Sequence, residues 1–192
     1  MRKTSGFPAR PVTILLLLGT TLAACDPSGM MPSAQPGVQR SVNAQEAGLG
    51  AELAELRAWT ARYQNIDKAM AAGYTVPATP CWYHGTMGAM GYHYANPDFI
   101  DGQARLLEPE LLVYEPRAGG SQKFVALEYI VPIDQWSGQD PPQLLGRNFA
   151  RNDGLGLYVL HVWLWRDNPD GIFADWNPKV SCRHAADSED RG

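Results

Sequence analysis

The sequence lacks almost every motif that would name a reaction. It has no His-Glu-x-x-His, no Gly-x-Ser-x-Gly, no Cys-x-x-Cys, no phosphate-cradling glycine loop and no dinucleotide fingerprint. Those absences remove the common zinc-protease, α/β-hydrolase, thiol-redox and nucleotide-binding readings. Basic charge is also scarce. Sixteen Lys and Arg against 20 Asp and Glu leave −4, which argues against nucleic acid as a partner. No apolar run reaches the about 20 residues that span a bilayer. With only three cysteines and four histidines, each has to be placed individually.

The first cysteine belongs to an address. Arg2, Lys3 and Arg10 form a basic start, Val12 to Leu18 a short apolar stretch, and Leu22-Ala23-Ala24-Cys25 a cleavage box. The box resembles the bacterial lipoprotein signal, which implies lipidation of Cys25 and an acyl anchor in a bilayer. The expected product is extracytoplasmic, held at the periplasmic face or the cell surface. Removing residues 1–24 takes three cations and no acid, so the mature chain carries 13 basic and 20 acidic side chains, −7. Cys81 and Cys182 then form an even pair in an oxidising compartment, and a disulfide between them is expected.

Residues 25–43, rich in Pro, Ser, Gly, Gln and Met, read as a flexible tether. A single globular domain follows over 44–184, and 185–192 is a polar tail. Leu49, Leu53, Leu56, Thr60, Tyr63 and Met70 mark one stripe on a long helix from about Gln45 to Ala72. Asn43 and Glu46 suit its capping box, and Gly73 its stop. Leu111–Glu115 and Lys123–Val131 read as strands around Gly119-Gly120. A weak helix is expected near Gln143–Arg147. The densest apolar stretch, Leu157 to Trp165, reads as a central strand with His161 in its middle. The fold class expected is α+β, a long N-terminal helix packed on a mostly antiparallel sheet. A small β-barrel with an appended helix is the alternative.

Chemistry can sit where polar residues interrupt these oily segments. His161 and Glu128 are the odd members of their strands, and neighbouring strands would bring them together as a hydrogen-bonded pair or as two metal ligands. His84, Met87, Met90 and His93 recur every three residues, and that spacing puts His93 and Met90 in the candidate set. Imidazole with thioether suits Cu(I), while imidazole with carboxylate suits Zn(II), Cu(II) or Fe(II). Glu110 is a spare carboxylate. Tyr92, Tyr94, Trp163 and Trp165 are expected to line the pocket. Asp167 to Gly171 has a faint calcium-loop pattern, but Pro178 stands where the bidentate glutamate would fall, so it reads as a turn.

Gly88-Ala89-Met90-Gly91-Tyr92-His93-Tyr94-Ala95-Asn96-Pro97, Leu127-Glu128-Tyr129, Leu160-His161-Val162-Trp163-Leu164-Trp165 and Phe173 to Cys182 together resemble a family of bacterial secreted proteins and lipoproteins. The resemblance covers roughly residues 50–182. No activity is established for that family, so the resemblance implies none. Three readings stay open: a tethered protein binding a transition metal (Cu or Zn) or a small ligand in a His/Glu/aromatic pocket; a small metal-assisted hydrolase or oxidoreductase with Glu128 as general base; and a structural lipoprotein whose polar core groups only pair with one another.

Overall fold

The computed structural model describes residues 36–192. The expected signal segment and Cys25 lie outside the described residues. The domain is mixed α+β and dominated by its sheet, a curled half-barrel of seven strands in the order β7-β8-β4-β3-β2-β1-β9. These are β1 (Val76–His84), β2 (Gly88–Ala95), β3 (Leu111–Pro116), β4 (Gln122–Pro132), β7 (Ala150–Asn152), β8 (Leu157–Val162) and β9 (Ser188–Asp190). A separate hairpin pairs β5 (Gln143–Leu144) with β6 (Arg147–Asn148). Among the described residues no helix is long and apolar enough to cross a membrane.

The N-terminal helical region is not the single long helix expected. It runs as α1 (Pro36–Thr60), a 3-10 turn (Ala61–Gln64) and α2 (Ile66–Ala71). Thr60 turns its hydroxyl back onto the Leu56 carbonyl, 2.7 Å away, a local bond that competes with the helical ladder. Asn65 then caps α2 by accepting from the Asp67 amide. α1 starts seven residues ahead of Asn43. The stripe still does its packing. Leu56 and Tyr63 join Leu112, Leu127, Tyr129, Leu160 and Val162 in the main core, and the Tyr114 hydroxyl donates to the Tyr63 carbonyl at 2.7 Å.

Strand alternation divides the sheet into two unlike faces. Leu112, Leu127 and Val162 are neighbours across the strands on the helix-covered face. The opposite face carries Ala89, Val113, Ala126 and Trp163 in one cluster, and Ala95, Leu111 and Ile130 in another. Among the described residues no helix covers this second face. The segment after β8 does, and it is fastened at three points. Trp163 donates through its amide to Ile172 and through its indole to Ala174. Asn177 exchanges backbone bonds with Ala89. Cys182 is bonded to Cys81, 101 residues earlier, as the cysteine count required.

Three local expectations are corrected. Gln143–Arg147 is no helix: Leu145 (φ 53°) and Gly146 (φ 66°) form the left-handed turn of the β5–β6 hairpin. A short helix expected over Phe99 to Leu107 is not formed, and that segment holds only the end of a short 3-10 turn, Pro97–Phe99. The polar tail is paired, because β9 runs parallel to β1 from Cys81↔Ser188 to Tyr83↔Asp190.

Candidate metal centre

The register brings the odd polar residues together. Glu128 stands directly opposite His161 across β4 and β8. His93 is paired with Val113, and Val113 with Ala126, two positions before Glu128 on the same face. Val113 and Ala126 are both buried beside the group. His93 Nε2 lies 3.5 Å from Glu128 Oε2. The two imidazoles meet edge to face with centroids 5.9 Å apart. One ligand atom from each of His93, Glu128 and His161 lies within 4.8 Å of the others.

Burial makes this arrangement expensive unless something joins it. His93 is 1% and His161 2% exposed. His93 Nε2 and both nitrogens of His161 are buried without a hydrogen-bond partner among the described residues. A buried polar atom left so costs about 1–3 kcal/mol. His93 Nδ1 is engaged, 2.9 Å from Thr79 Oγ1. A metal on Nε2 would leave the proton on Nδ1, where Thr79 could accept it, the kind of outer contact that commonly orients a metal-binding imidazole. Desolvation lowers the His93 pKa to about 4, against a smaller opposing effect of the Gly91 carbonyl. Burial, and then the neighbouring His93, push His161 well below its ordinary value. Burial raises Glu128 to about 8, and the Asp175 charge adds to it. Both imidazoles are therefore neutral near pH 7, the state in which they ligate metals.

Bonds of about 2.0–2.1 Å set the ligands of a tetrahedral ion about 3.3–3.4 Å apart. The His93–Glu128 separation already meets that. The remaining separations need to close by no more than about 1.5 Å. The Trp163 ring lies 4.7 Å from the His161 ring at a tilt of 48°, and Trp82 lies 6.0 Å from the His93 ring. Glu128 keeps 16% of its side chain exposed. A cavity of about 590 Å³, lined in part by Val159, His161, Phe173 and Asp175, opens onto the site.

No family model, curated protein or solved structure matches this chain.

Other expected members fall elsewhere. Met90 is three residues from His93 in one strand, so it faces the opposite side of the sheet, and the thioether case for Cu(I) goes with it. His84 closes β1, where its Nδ1 accepts from the Thr86 and Met87 amides, and Met87 is 40% exposed. Tyr92 and Tyr94 also face away. The Tyr92 hydroxyl accepts from the Ala186 amide, and the Tyr94 hydroxyl from Gln122. Trp165 lies beyond the end of β8 and donates to Thr60 on the helix side. Trp163 alone of the four expected aromatics borders the site. Glu110 is buried separately, accepting from the Ile130 amide, and His184 is exposed. Asp167–Gly171 is a turn closed by Asn168. Thr79, Trp82 and Asp175 carried no sequence signal.

Proposed function

We propose that this chain is a lipid-anchored extracytoplasmic protein that binds one divalent transition metal, Zn(II) or Cu(II), through His93, Glu128 and His161. The observation that carries the reading is the set of buried, unpaired imidazole nitrogens turned toward a carboxylate 3.5 Å from one of them. A purely structural pair would satisfy those atoms. The resemblance of Leu22–Cys25 to a lipoprotein signal supports this location, and the disulfide fits an oxidising compartment. The test is metal content of the purified chain after metal-replete expression, by plasma mass spectrometry. About one ion per chain is expected on the ligand set above, with loss of the ion in His161→Ala and His93→Ala. Wild-type protein without metal above background overturns the proposal.

A second reading is metal-assisted hydrolysis or redox chemistry at the same centre. It is favoured by the cavity at His161 and by Glu128 being the one partly exposed member of the group. In it Glu128 serves as general base instead of ligand, and a metal held by His93 and His161 would keep coordination positions for water or substrate. Metal retention by Glu128→Gln, together with loss of turnover, would separate this reading from simple binding.

A further inference from the structure

We propose that Asp175 is the outer carboxylate through which a cation reaches the buried His93–Glu128–His161 group, and that the cavity beside His161 is its route. The inference rests on the metal reading above and deepens it.

The inner site has no direct solvent face on its histidines, yet it needs a hydrated ion to shed its waters there. Apolar Val159, Leu160 and Ile172 line much of the cavity. A hydrated divalent ion crossing such a surface without replacement ligands would meet a steep desolvation cost. A stepwise exchange avoids that cost, with a carboxylate oxygen replacing a water at the mouth before the inner ligands replace the rest.

Asp175 is built for that step. It lines the same cavity as His161 and is solvent-exposed. It forms no hydrogen bond or ion pair among the described residues, so its oxygens are uncommitted. Its neighbours are pinned: the Ala174 carbonyl accepts the Trp163 indole N–H at 2.6 Å, and Trp163 lies 4.7 Å from the His161 ring. Asn177, two residues on, is clamped to Ala89. Asp175 therefore lies on a short segment fixed on both sides beside the cavity. It is also the charged group that acts on Glu128, and the partly exposed Glu128 is the next oxygen inward. Besides the acids, the same cavity is lined by His161, whose two ring nitrogens are buried without a hydrogen-bond partner among the described residues. Asp170 adds a second negative charge to the lining, and Arg147, the cation there, lies over the Phe173 ring at 5.2 Å.

Stopped-flow mixing of the full chain with Cu(II), read by quenching of tryptophan fluorescence, tests the route. Trp163 is close enough to His161 to report arrival. Asp175→Asn is expected to slow association about tenfold at low salt, and the difference should shrink as ionic strength rises. Stoichiometry and the electron paramagnetic resonance spectrum of the loaded protein should stay as in wild type, and Asp175→Glu should restore most of the rate. An unchanged association rate in Asp175→Asn overturns the proposal. So does an altered spectrum or lost stoichiometry, which would make Asp175 an inner ligand. Wild-type protein that takes up neither Cu(II) nor Zn(II) overturns the metal reading itself, a result distinct from normal loading with an indifferent Asp175.

Discussion

Loading the buried triad with a divalent ion should expel about one proton per ion near neutral pH. The perturbation is titration of metal-free protein with Zn(II) at several pH values. Burial holds Glu128 at about 8 and His93 at about 4, so the pair carries one proton between them at pH 7. The total does not depend on which partner holds that proton, since a charged pair and a neutral pair contain the same number. Coordination through both groups requires the proton to leave. With an apparent value near 8, about nine-tenths of a proton should be released at pH 7, and affinity should climb almost tenfold per pH unit before flattening above about 8. Calorimetry in two buffers of different ionisation enthalpy reads the proton count directly. Glu128→Gln should bring the release close to zero and weaken binding. One-to-one binding in wild type with less than about a third of a proton released at pH 6.5–7 would show that the pair is already deprotonated, and the desolvation argument would fail.

Three further outcomes follow from the same structure. Replacing Cys81 and Cys182 by Ala should cost about 4–5 kcal/mol in urea unfolding, the chain-entropy value for a loop of this length; a loss under about 1 kcal/mol would mean that the unfolded chain is little constrained by the bond. Glu110 has a folded pKa raised to about 8 by burial. The folded state therefore keeps a proton that the unfolded state sheds above about 4.5, so this group's contribution is lost as pH rises through about 8. Glu110→Gln should flatten the decline in melting temperature of metal-free protein between pH 6 and 8, and parallel declines in the two proteins would contradict that assignment. Gly88→Ala would set a Cβ 2.2 Å from the Asn177 carbonyl at φ +93°, at a cost of about 2 kcal/mol or more from strain and displaced backbone. Thermal melting checks it, and wild-type stability would refute the close approach.

The strands that build the inner half of the site were legible because β-branched and aromatic residues crowd into them and one polar residue interrupts each. Their pairing put Glu128 opposite His161. β1 and β2 were not legible. Glycines that look like loop residues are there for close approach: a Cβ on Gly91, at φ +115°, would meet the Tyr114 carbonyl at 2.6 Å. Prolines 77 and 80 lie in a strand whose outer side is paired only over its last residues, by β9, where a missing N–H is tolerated. Once residues 88–95 are a strand, a three-residue spacing cannot share a face, which is why His93 joined the site and Met90 did not. Trp165 was assigned by extending alternation past Val162, where the strand ends. Asp175 sits in a turn-rich segment whose fold is set by contacts from Trp163 and Asn177, and no local pattern encodes those.

The two faces of the sheet explain why an unpaired polar group survives in this core. Helices usually fill a sheet face with long apolar side chains, as Leu56 and Tyr63 do here on one side. The other face is covered by an irregular segment fastened at the Ala89–Asn177 bridge, the Trp163 indole and the Cys81–Cys182 bond. Beneath it Val113 and Ala126 are buried with Trp163 and Val180 in one apolar cluster. Burial there shields His93 and His161 from water, which lowers their pKa values, and His93 Nε2 and both His161 nitrogens are left without a hydrogen-bond partner among the described residues. Hydrophobic side chains in place of the two imidazoles and the acid would be the simpler route to stability. Keeping the polar groups gives up that stability, and a coordinated ion would return the loss as binding free energy tied to folding.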